Sequence, residues 1–380
     1  MYKQPGQEEL LFYMLYTGAA VLSLIASFYL WFRRANAIAP DITSPVRLRR
    51  WTAALFASTT LSHVWYMPGV FLTSDNDIML HDLVGGLLDC MTVLPLSIVV
   101  MFCMLQDRRR PLWPVWVMVA PLIIGKAVCI ANLSYSPLPI ILVYFLLLGI
   151  GLLIYMIRAI RQYGRWLRDN YADLEHKEVW QSIVVMAFLL LISGIYEVGF
   201  GWPAYDYIVQ VLGIVVVCYL VWRVETLSDL SIPIQSDNPI TFNDVGDLNV
   251  PDKRGCGISP VAKPSLSQNI GPLLKQYCEE PQLYLQYDIS ISQLATLIGI
   301  NRSYLSKHFA LQGITYNSYI NGLRIQHFIN LYHESVVIHQ PISAQQLAYQ
   351  SGFRNYNTFN AAFKKMKGMT ATEWMQHVKS

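Results

Sequence analysis

The chain has 380 residues, of which 54% are hydrophobic and only 14% charged, with a formal net charge of +3. Soluble proteins carry roughly 25% charged residues, so the deficit argues against a wholly soluble protein and for membrane spans. The six cysteines form no CxxC pair, and Cys90, Cys103, Cys129 and Cys218 lie inside apolar runs, which suits core filling better than a disulfide framework.

Seven apolar runs are long enough to cross a bilayer: about Leu10–Phe32, Trp51–Leu72, Leu83–Leu105, Leu112–Asn132, Leu138–Ile157, Trp180–Phe200 and Pro203–Trp222. The first does not read as a signal peptide. Glu8 and Glu9 precede it, with Lys3 alone, and the positive charges Arg33 and Arg34 follow it. Arginines and lysines then fall in the odd-numbered loops only: Arg33, Arg34, Arg47, Arg49 and Arg50; Arg108, Arg109 and Arg110; Arg158, Arg161, Arg165, Arg168 and Lys177. Cytoplasmic loops carry the excess of Lys and Arg, so the amino terminus is expected outside and the carboxyl terminus in the cytoplasm.

The fifth loop, Arg158–Glu178, is long enough to continue the preceding span as a helix, with Ile160, Tyr163, Leu167, Tyr171 and Leu174 at helical spacing. A basic amphipathic helix beside a membrane lies against anionic headgroups; the alternative is a docking surface for another domain or a second subunit. From Glu225 to Asn269 prolines and glycines break any long helix, and six acidic residues outnumber three basic ones. This reads as a tether, with a coil span of about 35–40 Å.

Ionisable side chains within spans are costly and are functional candidates by default. They are His63, Asp89, Lys126 and Glu197, each expected in the outer part of its helix, with His81, Asp82 and Asp206 at span ends. Gly85 and Gly86 lie between Asp82 and Asp89 and allow close approach of a neighbour. Two readings stand: an internal salt-bridge set with an aromatic belt, or a pocket open to the outside that takes a small polar ligand. No metal-ligand spacing such as HExxH, nucleophile elbow, phosphate loop or catalytic serine motif occurs, so no metal, cofactor or enzymatic activity is expected.

After the tether, two short-helix pairs repeat one skeleton. In the second, Ile342–Gly368, Ser343 can cap a first helix with Leu347 and Ala348 on its buried side, and Gly352 supplies a left-handed turn. Asn355 can cap the next helix, whose Phe359 and Phe363 share a face. In the first, Ile291–Phe309, Leu294, Ala295 and Gly299 answer these positions, and Leu305 and Phe309 supply the apolar side. Nine Lys and Arg against five Asp and Glu give the residues after Asn269 a net +4.

The stretches LATLIGINRSYLSKHF, Leu323-Arg324-Ile325 and SGFRNYNTFNAAFKKMKGMT resemble the DNA-binding domain of the AraC/XylS family of bacterial transcription regulators. The resemblance covers less than a third of the chain and implies two helix-turn-helix units joined by a long helix, here about Tyr316 to Leu331. Phe328 stands where the family has a small alanine, and Ala371 where a proline is usual. Two recognition helices could enter successive major grooves about 34 Å apart. Arg302, Ser303, Ser306 and Lys307 on the first, with Asn357 and Asn360 on the second, are expected to face bases or nearby phosphates. Arg354, Asn355 and Lys364 are expected to hold the DNA backbone.

The expectation is an all-α chain: a seven-helix transmembrane bundle over 1–224, a cytoplasmic linker over 225–269 and a DNA-binding domain over 270–380. It implies a regulator in the bacterial inner membrane whose bundle stands where soluble AraC-type proteins carry their sensor. The expected partners are double-stranded DNA, the lipid bilayer, RNA polymerase, a small polar ligand from outside and a second copy of the chain. The alternative is a transporter or membrane enzyme whose DNA-binding tail reports its state; paired broken helices would favour it.

Overall fold

A computed structural model describes residues 7–185, 187–188, 203–230, 270–338 and 343–379. Among them every regular element is a helix, and the one strand-like pairing is an isolated bridge between Tyr171 and Ser290. The chain forms two units: Met1–Gly164 with His176–Ile232, and Arg165–Glu175 with Pro233–Ser380.

The first unit contains α1 (Gln7–Phe32), α2 (Val46–Tyr66), α3 (Asp75–Met91), α4 (Val93–Met104), α5 (Trp113–Ala131), most of α6 (Leu138–Asn170) and α7 (Pro203–Thr226). Among the described residues, five helical segments are long and apolar enough to cross a membrane: Leu10–Phe32, Asp75–Met104, Trp113–Ala131, Leu138–Asn170 and Tyr207–Thr226. α2 falls short of that composition, and it packs against α1, α3, α4 and α7. Its buried positions include the polar Arg49, Thr52 and Ser58. Most of the expected sixth span, and Glu197 with it, lies outside the described residues.

The third run is not one straight helix. Thr92 has φ −125° and ψ −69°, separating α3 from α4. Pro95 accounts for the break, because its ring lacks an N–H and clashes with the carbonyl four residues back, at Met91.

The chain also stays folded past Glu225. That side chain is fully buried, accepts from Tyr29 Oη and from the N–H groups of Ala37 (3.0 Å) and Ile38 (2.8 Å), and lies 3.8 Å from Arg49 Nη1. Asp229 N–H donates to Thr43 O at 2.8 Å and Leu230 N–H to Gln106 Oε1 at 2.8 Å. The stretch read as a tether is thus anchored as far as Leu230; 231–269 lie outside the described residues.

The second unit holds α8 (Ile270–Leu274), α9 (Ile291–Ile298), α10 (Arg302–Leu311), α11 (Tyr316–Val337), α12 (Ala344–Gln350), α13 (Tyr356–Lys367) and α14 (Ala371–Lys379). The connecting helix α11 runs to Val337, beyond the expected Leu331. It serves two cores. Tyr316 and Ile320 join Leu274, Cys278, Leu294, Ala295, Leu305 and Phe309 in the first, while Phe328 and Tyr332 join Leu347, Ala348, Phe353, Phe359 and Phe363 in the second.

Phe328 fills the second core in place of the smaller residue: its ring lies 4.6 Å from Phe359 and 5.6 Å from Phe363. Ala371 is buried at the start of α14, where a proline would also fit. A reciprocal cap orders that start, with Thr370 N–H donating to Glu373 Oε2 at 2.8 Å and Glu373 N–H to Thr370 Oγ1 at 3.3 Å.

Candidate nucleic-acid interface

Each helix pair is set by local chemistry. Ser290 caps α9 in a reciprocal capping box with Gln293, and Gly299 ends the helix at φ +76°. Asn301 then caps α10, accepting from Ser303 N–H at 2.9 Å. In the second pair Ser343 accepts from Gln346 N–H at 3.2 Å, Gly352 turns at φ +88°, and Asn355 accepts from Asn357 N–H at 2.7 Å. A Cβ at Gly352 would lie 2.8 Å from Leu285 Cα, so the turn needs glycine for space as well as for conformation.

These frames decide what α10 and α13 offer outward. Leu305 and Phe309 turn one side of α10 into the first core, leaving Arg302, Ser303 and Lys307 exposed and Ser306 half-buried. Phe359 and Phe363 do the same on α13, leaving Asn357 and Lys364 exposed, and Arg354, just before the capping Asn355, is exposed as well. Lys364, Lys365 and Lys367 crowd its last turn, where cations complement the helix dipole. Guanidinium and amide groups can pair with guanine and adenine edges, and lysines with phosphates.

Two expected contacts are placed differently from the rest. Asn360 is half-buried and its Oδ1 is buried without a hydrogen-bond partner among the described residues. The Asn355 amide is used twice, its oxygen in the cap and its nitrogen donating to Glu175 Oε1 at 3.3 Å. Sequence reasoning passed over Tyr304, 46% exposed on α10, which follows from helical spacing once Leu305 is fixed inward. It also gave no role to Arg324, which stands among Asn321, Gln326 and His327 on α11, so that no pattern singles it out.

In the first unit, His63 joins α1 and α7. Its Nδ1 lies 2.7 Å from Thr59 O and its Nε2 3.1 Å from Gln210 Oε1, while Tyr16 Oη donates to His63 O at 2.6 Å. Lys126 on α5 is buried against α3: a Cβ added at Gly86 would meet its Nζ at 3.0 Å. Asp89 is half-buried on α3.

Comparison with known proteins agrees with this geometry. Residues 294–377 match the family described as "Helix-turn-helix domain". A 103-residue stretch is 28% identical to a Staphylococcus aureus protein named "Uncharacterized HTH-type transcriptional regulator", covering 27% of this chain and 13% of that protein. No solved structure matches the chain. The carboxyl-terminal part of this chain is a helix-turn-helix domain of the AraC type.

Proposed function

We propose that the chain is a membrane-embedded one-component transcription regulator. The observation that carries this reading is the union in one chain of a helix-turn-helix domain and, among the described residues, five helical segments long and apolar enough to cross a membrane. In this reading α10 and α13 enter successive major grooves of double-stranded DNA. Arg302, Ser303, Ser306, Lys307, Asn357 and Asn360 face bases or nearby phosphates, and Arg354, Asn355 and Lys364 hold the backbone.

The basic residues of the odd-numbered loops support a cytoplasmic carboxyl terminus, where DNA and RNA polymerase are, in a bacterial inner membrane. His63, Asp89, Lys126 and Glu197 are the groups through which a small polar ligand would bias the bundle, and a second copy of the chain would match a two-part operator. The test is topological. Single-cysteine labels between Thr73 and His81 should react with an impermeant reagent in intact cells, and labels after Arg223 should not. Labelling of the carboxyl-terminal domain from outside would end the proposal, since no DNA is there to bind.

A further inference from the structure

The residues Tyr171–Glu175 directly follow α6, yet they are built into the unit that carries the helix-turn-helix pairs. Ala172 N–H donates to Ile289 O at 3.2 Å, and Asn317 Nδ2 donates to Ala172 O at 2.5 Å. The Ala172 side chain is 1% exposed within the first core. Asp173 is also buried, and its charge acts on Arg324. The Glu175 N–H donates to Asp173 Oδ1 at 3.1 Å, and the Glu175 carboxylate receives the Asn355 amide at the amino end of α13.

That last contact has a chemical rival. The start of a helix carries unpaired N–H groups and a partial positive charge, and it favours an anion. At a recognition helix the anion supplied by DNA is a backbone phosphate, reached by neutral amides as well as by cations. A carboxylate and a phosphate cannot both take the Asn355 amide without like-charge repulsion.

We infer that Tyr171–Glu175 is an intrachain strap whose Glu175 carboxylate holds the place of a DNA phosphate at Asn355, so that duplex binding requires its release. The inference rests on the DNA-facing role proposed for α13. Because the strap continues α6 along the chain, a change at the end of that helix reaches the DNA-binding surface through the backbone itself. It therefore supplies a regulatory contact of a few-fold in affinity, tunable by small displacements.

The experiment uses the full chain in lipid nanodiscs, with a mixed-sequence DNA duplex at low salt as the probe. Glu175→Gln should bind about two- to fivefold tighter, the scale of one anion at a helix terminus. In an Asn355→Ser background, which keeps a capping oxygen but removes the amide donor, the same change should make no difference. In the unmutated chain, saturating duplex should speed amide exchange across 171–175. Duplex binding by the unmutated chain, with no gain from Glu175→Gln and with unchanged or slower exchange, would overturn the strap and leave DNA binding standing. Absence of duplex binding by the unmutated chain at any salt would overturn the DNA-binding reading, and the strap with it.

Discussion

The Arg324 guanidinium lies 5.5 Å above the Phe353 ring, tying the connecting helix to the residue that follows the second turn glycine. Its Nε donates to Tyr284 O at 2.7 Å, and its Nη2 to Gln286 O at 2.7 Å and Tyr287 O at 3.2 Å. The side chain is 2% exposed, and burial pulls its pKa down to about 10, which leaves it charged at neutral pH. One residue therefore fixes α11 against the 284–287 segment and against the second helix pair.

Arg324→Met should destabilise the second unit by about 3 kcal/mol, since three carbonyls lose a charged donor. Arg324→Lys should recover only part of that, because an ammonium cannot reproduce the planar fork. Cys278 offers the readout. It is fully buried, and burial pushes its thiol up to about 12, so it stays inert until the unit opens. Alkylation of Cys278 along a urea gradient, resolved by peptide mass, should shift to lower urea in both variants.

The two turn glycines should respond differently to alanine. Gly299 has φ +76° with nothing near its added Cβ, so Gly299→Ala should cost only the left-handed strain, about 1–2 kcal/mol. At Gly352 the added carbon also meets Leu285 Cα at 2.8 Å and Leu285 O at 3.0 Å, which are backbone atoms and cannot swing aside. Gly352→Ala should therefore cost clearly more than Gly299→Ala in the same unfolding measurement. Equal losses would mean that the second turn is looser than its contacts indicate.

Burial lowers the pKa of His308 on α10 below the ordinary histidine value, and that of His327 on α11 too, with Glu334 partly opposing at the latter. A histidine with a lowered folded pKa contributes stability that is present above its unfolded value of about 6.5 and lost as pH falls through the folded value. The second unit should thus melt at a lower temperature at pH 5 than at pH 7. His308→Gln with His327→Gln should flatten that dependence, as read by calorimetry or by Cys278 protection.

Among the polar groups of the first unit, Asp89 and Lys126 separate the two readings of a polar bundle. If Asp89 serves internal pairing alone, Asp89→Asn should lower the amount of protein in the membrane. If it serves a ligand, abundance should hold while target transcription changes by about 5- to 150-fold, the usual range of a coupling of 1–3 kcal/mol. Quantitative membrane immunoblots and a reporter, measured together, distinguish them.

What was legible in the sequence was local. Ser343 and Asn355 announce their caps within three residues, and Gly352 marks its turn, because capping and left-handed turns are settled by neighbours in the chain. What was missed depends on distant partners. Glu225 was counted among the acids of a tether, yet it is buried against Tyr29, 196 residues away. The docking of Ala172 on Ile289 is a pairing of backbone groups, which no side-chain pattern announces. The break at Thr92 was readable, since Pro95 stands in the middle of the run, but hydropathy alone hides it.

The central claim is that one chain is both integral to the membrane and bound to chosen sites on DNA. Cross-linking DNA to the chain in living cells, then sequencing the DNA that remains with carbonate-washed membranes, tests both at once. The account predicts discrete enriched sites for the unmutated chain. Arg302→Ala should cost about 1–3 kcal/mol and relax preference at one half-site if it pairs with guanine. Lys364→Ala should weaken every site alike and reduce the salt slope by about one. Membranes that retain the chain but yield no enriched site, at any salt or growth condition tried, would contradict the account.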